Sequence, residues 1–285
     1  MNIDPNKMVM RTMLVDPTEG MINQRFLLAL IMILNEGSDG TEKQRFELTN
    51  LIFTTGLKLI AVHGHIKRYG EIEDRLLAEA KANPIDLKSD DPKRIASAQD
   101  LYIEFDGFLV QVKSTLDHAI NVLNFGFNIP FSALTTFGDK GNKIIKQLEN
   151  NVAANFQGAA NHLIKVIKDN KSWLELAIDV RDRMNHFKSG GIDLQTFTVS
   201  AEKVGNEIKT WTPHLHPDQT IRELMEILFR NLFEFCEYFM ALGMMPRLTK
   251  VALQYNKSDD PKAMRWKMYP VALVRQFEKD AKPLE

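Results

Sequence analysis

A chain of 285 residues, 44% hydrophobic and 26% charged, holds enough apolar material for one large or two modest domains with an ordinary soluble surface. Its formal charge of −1 excludes an overall basic field, so any contact with nucleic acid must come from a local patch. The single cysteine, Cys236, excludes an intramolecular disulfide framework, and its neighbours Phe233, Phe235 and Phe239 mark it as a buried, inert thiol.

Residues 1–20 are polar and irregular and lack the basic, apolar and small-residue order of a signal peptide. The strongest apolar run, Phe26 to Leu34, falls short of the roughly 20 residues a membrane span needs, so the expectation is a cytoplasmic protein with no membrane association. Met21 to Asn35 reads as a helix apolar almost all round, which must be buried on more than one side. A second helical region runs from about Thr41 to Ala82, with a break expected near Gly56 or Gly64. Asn83-Pro84 and Ser89-Asp90-Asp91-Pro92 bracket a boundary, because proline disfavours helix at the residue before it. This divides the chain into an N-terminal helical region of unassigned role (1–90), a helical body (92–250) and a charged tail (251–285).

From Pro92 to about Phe125 the chain reads as one long helix. Phe105, Phe108, Leu109, Val112, Leu116, Ala119, Ile120 and Leu123 recur at steps of three and four. A loop is expected from Gly126 to about Lys143, a short helix over Ile144 to Leu148, and another over about Asn155 to Asp169. Ser172-Trp173-Leu174-Glu175 has capping-box spacing and opens a helix that buries Trp173, Leu174, Leu176, Ala177, Ile178 and Val180. After Gly190-Gly191 the period changes to two. Leu194, Phe197 and Val199, then Ile208 and Trp211, predict a small hairpin around Gly205-Asn206. Thr220-Ile221-Arg222-Glu223 is a second capping box and opens a strongly amphipathic helix with Leu224, Leu228, Leu232, Cys236 and Phe239 on its stripe. Past Tyr255 only Trp266-Lys267-Met268-Tyr269 has the character of a docking segment. The expected class is mainly α: an up-and-down four-helix bundle with a small β-hairpin insert, plus the N-terminal helices.

The chemistry concentrates at the end of the third bundle helix, in Arg181-Asp182-Arg183-Met184-Asn185-His186. A guanidinium is permanently charged and shaped for phosphate, and imidazole is the side chain that exchanges a proton near neutral pH. Arg181 and His186 lie about 140° apart on a helix, so both can line one wide polar strip. Asp182 stands one turn before His186 and Arg181 one turn before Asn185, so each has an orienting neighbour. The plainer reading is a helix C-terminus decorated with Arg183, His186 and Lys188, which the macrodipole favours.

The helix order together with Arg181-Asp182-x-x-x-His186 resembles the HEPN superfamily, whose four-helix bundles carry Arg-x(4–6)-His, with a polar residue after the Arg, at the end of the third helix. Leu116-Asp117-His118-Ala119 is similar to part of the long opening helix of such domains. The likeness covers about Pro92 to Met244. It implies a metal-independent endoribonuclease, often part of a defence or toxin–antitoxin system, acting on RNA as a homodimer that brings two motifs together. Arg181 and His186 would be catalytic, with Asp182 and Asn185 supporting. RNA carries its own nucleophile, the 2′-OH, so a proton carrier and a cation suffice, with no metal and no cofactor. Non-catalytic partner- or nucleotide-binding scaffolds share the fold, and an antitoxin or defence-system protein is the partner either reading implies. A small-molecule-binding regulator is a third class, with the first ninety residues as sensor.

Three further sites invite metal or RNA readings. His214-Leu215-His216 can point two imidazoles one way, but no third ligand is near in sequence, so a loop role is expected. His63-Gly64-His65 with Lys67-Arg68-Tyr69 reads as a solvated helix end, or else a basic rim. Asp117 and His118 are adjacent on the opening helix; His118 is either satisfied in the core, or one of the pair supports His186.

Overall fold

The computed structural model describes residues 16–18, 20–85, 96–129, 136–185 and 192–274. The mainly helical class expected from periodicity is observed, with small antiparallel strand pairs beside the helices. A π-helical segment, Met21–Leu28, leads into α1 (Ala29–Gly37), followed by α2 (Glu42–Ala82), β1 (Ala96–Ser97), α3 (Gln99–Ala119) and α4 (Val122–Phe127). Then come α5 (Asn142–Asn151), α6 (Gln157–Asp169) and α7 (Lys171–Asn185). Strands β2 (Thr198–Val204), β3 (Glu207–Trp211), β4 (His214–His216) and β5 (Gln219–Thr220) precede α8 (Ile221–Met244), and β6 (Val251–Tyr255) and β7 (Trp266–Pro270) follow it.

Several local expectations are corrected. Helix α2 runs unbroken through Gly56 and Gly64. A Cβ on Gly56 would stand 2.6 Å from a methyl of Leu27. That close packing offsets the roughly 1 kcal/mol that glycine costs a helix. The long helix expected to reach Phe125 stops at Ala119, where the Asn121 side chain donates to the His118 carbonyl at 2.7 Å and competes with the helical ladder. The chain then re-enters a helix that contains Gly126 and ends at Phe127, with Asn128 as its cap. Ser172 lies one position inside α7 instead of capping it, and Leu176 is exposed. Leu194–Phe197 is a 3-10 turn, because the Asp193 carboxylate holds the Thr196 N–H.

The chain forms two compact units. The first comprises Met1–Ile60, Ser114–Lys171 and Phe233–Glu285. Its core holds Ile22, Phe26, Leu30, Ile52, Leu116, Leu148 and Leu163 with an aromatic cluster in which Phe137 meets Phe235 edge-on at 5.6 Å. Each such ring, fully buried, contributes about 1.5–3 kcal/mol. Gly126 and Gly243 let two backbones touch: a Cβ on Gly126 would overlap the Gly243 carbonyl oxygen. Arg25 is buried in this core. Its Nε donates to Glu237 Oε2 at 2.9 Å, and its guanidinium lies 4.7 Å from the centre of the Phe233 ring. Burial pushes the Glu237 carboxyl above its ordinary range, against the pull of Arg25. Strands β6 and β7 pair antiparallel, and Trp266 seats its ring against Tyr238 and Tyr255.

The second unit comprises Ala61–Lys113 and Ser172–Leu232. Leu101, Phe105, Phe108, Val112, Leu174, Ile178, Leu224 and Leu228 fill its core, and Phe197 packs on both Tyr102 and Phe105. The expected hairpin is present. Strands β2 and β3 pair from Ser200 with Trp211 to Val204 with Glu207, and Gly205 takes the positive φ that its turn requires. The Thr220–Glu223 capping box also forms: Thr220 N–H donates to Glu223 Oε2 at 2.9 Å, and Glu223 N–H donates to Thr220 Oγ1 at 3.1 Å.

Candidate functional site

Helix α7 supplies the candidate site. Trp173, Leu174, Ala177, Ile178, Val180 and Met184 form its buried face, and this periodicity fixes which residues remain on the outer side. Arg181 stands one turn before the last residue of the helix, Asn185, with its side chain 30% exposed, and Asp182 beside it is 46% exposed. A guanidinium nitrogen of Arg181 donates to Asp182 Oδ1 at 3.3 Å. A carboxylate one residue away therefore holds the guanidinium and offsets part of its charge. Asn185 closes the helix. His186 lies outside the described residues, as does Lys188.

The other histidines have concrete partners. His63 and His65 sit within α2, not at a helix end. His63 packs its ring 5.4 Å from that of Phe229. His65 Nδ1 is 2.7 Å from Glu104 Oε2, and Arg68 Nε donates to both oxygens of that carboxylate at 3.0 and 3.1 Å. This three-member cluster ties α2 to α3 within the second unit, and the charge of Arg68 is engaged in it. His214 Nδ1 meets the Thr212 carbonyl, while His216 faces Asp218 at 3.8 Å. The described residues contain no group of three side chains suited to hold a metal ion. Nor do they contain a helix long and apolar enough to cross a membrane.

Asp117 and His118 take separate roles in the first unit. The Asp117 carboxylate accepts the Phe137 N–H at 2.7 Å, fixing the 3-10 turn Phe137–Asp139. His118 instead lines a cavity of about 600 Å³ between the first turns of α2 and the α3–α4 junction. Burial, with a smaller contribution from the charge of Lys58, lowers the imidazole pKa below its ordinary value. A sequence signal for this cavity existed. Asn121, Asn124 and Asn128 recur at steps of three and four, as do Gln44, Glu47, Leu51 and Thr54, but surface amides at helical spacing are too common to single out.

The ion pairs of Arg222 were not visible beforehand either. Arg222 reaches Asp74 at 2.9 Å and Glu73 at 3.6 Å, across a sequence gap no local pattern spans. Burial raises the Glu73 carboxyl, with Arg222 acting against it. No family model, curated protein or solved structure matches this chain.

Proposed function

We propose that this chain is a HEPN-type protein that cleaves RNA without a metal ion, with Arg181 and His186 as its reacting pair. The observation that carries the reading is the position of Arg181: one turn before the end of a 15-residue helix, side chain part-exposed, steadied by the polar residue that follows it. The up-and-down four-helix arrangement of residues 92–250 belongs to the same proposal.

The 2′-OH of the substrate attacks the adjacent phosphorus, the bond to the 5′-oxygen breaks, and a cyclic phosphate and a free 5′-hydroxyl result. His186 accepts the proton from the 2′-OH, the departing 5′-oxygen takes a proton from water, and Arg181 stabilises the charge on the phosphorane oxygens. Asp182 orients Arg181, and Asn185 is the supporting hydrogen-bonding group. One such pair is sparse. A second copy of the chain, related by a two-fold axis, doubles it into a cleft. An antitoxin or other defence-system partner would act by covering that cleft.

The second reading, a non-catalytic partner- or nucleotide-binding scaffold, draws on the same contact, because Asp182 already engages the guanidinium that phosphate would need. Structured and single-stranded RNA incubated with the protein in chelator separates the two. We expect cleavage that falls by about a hundredfold or more in Arg181→Ala and in His186→Ala, the scale of losing one charge stabiliser or proton carrier. Cleavage that survives both substitutions rejects the site, and cleavage lost to chelator rejects the metal-free chemistry. Intact RNA under all conditions favours the scaffold.

A further inference from the structure

The cavity beside His118 lies wholly within the first unit, and its volume of about 600 Å³ suits a small organic molecule. Its lining is unusual in charge. Glu47 is the only charged side chain among the described lining residues, and neither lysine nor arginine contributes. The lowered pKa of His118 leaves that imidazole neutral near pH 7. Phosphates and carboxylates are recognised by cations and clustered N–H donors, so this lining selects against anions.

Amides dominate what remains. Asn50 comes from α2, and Asn121, Asn124 and Asn128 from the α3–α4 junction and beyond. Asn50, Asn124 and Asn128 each offer a donor and an acceptor in one plane, the pairing that matches the edge of a nucleobase, while Asn121, whose Nδ2 donates to the His118 carbonyl, offers its oxygen. A carboxylate such as Glu47 accepts from an exocyclic amine. Leu48, Leu51 and the half-buried Phe125 supply apolar surface against which a flat ring can lie. His118 also lines the cavity, with its Nε2 closed to solvent.

We propose that this cavity binds an uncharged nucleobase, taken up as a free nucleoside. The inference is independent of the reading of Arg181, whose α7 belongs to the other unit apart from its first residue.

Calorimetric titration of the full chain with adenosine, guanosine, cytidine and uridine, each beside its 5′-monophosphate and with glucose as a sugar control, tests it. At least one nucleoside binds with a Kd of about 1 mM or tighter, and its monophosphate binds about fivefold more weakly because of Glu47. Asn50→Leu and Asn124→Leu, both at exposed positions that tolerate change, each weaken binding about five- to tenfold, and His118→Phe, which alters the cavity wall, weakens it as well. Arg181→Ala leaves it unchanged. The proposal is overturned if no nucleoside binds at about 10 mM, well above the affinity it requires. It is equally overturned if binding survives all three cavity substitutions, or if glucose binds and the nucleosides do not.

Discussion

His118 stands where packing and protonation are coupled. Burial, assisted by Lys58, holds its imidazole below the ordinary value of 6.5. The unfolded chain therefore takes up this proton at higher pH than the folded one. The associated stability is intact above 6.5 and is lost as pH falls from 6.5 through the folded value. The urea midpoint should drop as pH falls below 6.5, and His118→Asn should flatten that drop. Glu73 and Glu237 act in the opposite sense, since burial raises both carboxyls and their folded forms hold protons more tightly. Their contribution falls as pH rises above the ordinary glutamate range, so only comparison with the His118 variant isolates the imidazole. Cys236 is buried, and its thiol is pushed up by that burial. It should resist thiol reagents in the native protein and react fully in denaturant, as the flanking phenylalanines lead one to expect.

Among elements, the glycine contact and the capping box make unequal predictions. A methyl at Gly126 would overlap the Gly243 carbonyl oxygen, and backbone cannot swing aside as a side chain can. Gly126→Ala should destabilise by about 1–3 kcal/mol or more, read as a lower midpoint in denaturant. Thr220→Ala removes one half of a reciprocal cap and should cost about 1 kcal/mol, lowering Tm by about 2–4 °C. The cap at Thr220 and the turn at Gly205 were legible because both are decided within four residues. Arg181 at a helix end was legible for the same reason: α7 announces itself by a stripe of apolar positions. What escaped the sequence was set by distant partners. Leu27 filling the notch at Gly56 keeps α2 whole, and the Arg25–Glu237 pair joins residues far apart in the chain. At the α3–α4 break, a single side chain, Asn121, outweighs a periodicity that runs straight through it. The amide cavity combines both difficulties, since its two walls come from separate helices and each alone looks like ordinary surface.

For the molecule as a whole, the proposed paired site requires two copies. Light scattering at micromolar concentration should return twice the chain mass, and a monomer there would remove the two-fold cleft while leaving the nucleoside cavity untouched. Strand β3 bears on association of a different kind. It is outermost in its sheet among the described residues, all five of its positions face water, and Ile208 and Trp211 are 49% and 44% exposed. With a formal charge of −1, copies repel one another only weakly. Concentrated stocks should therefore cloud first along this unguarded ribbon, where Glu207 and Lys209 are the only charges interrupting a zipper.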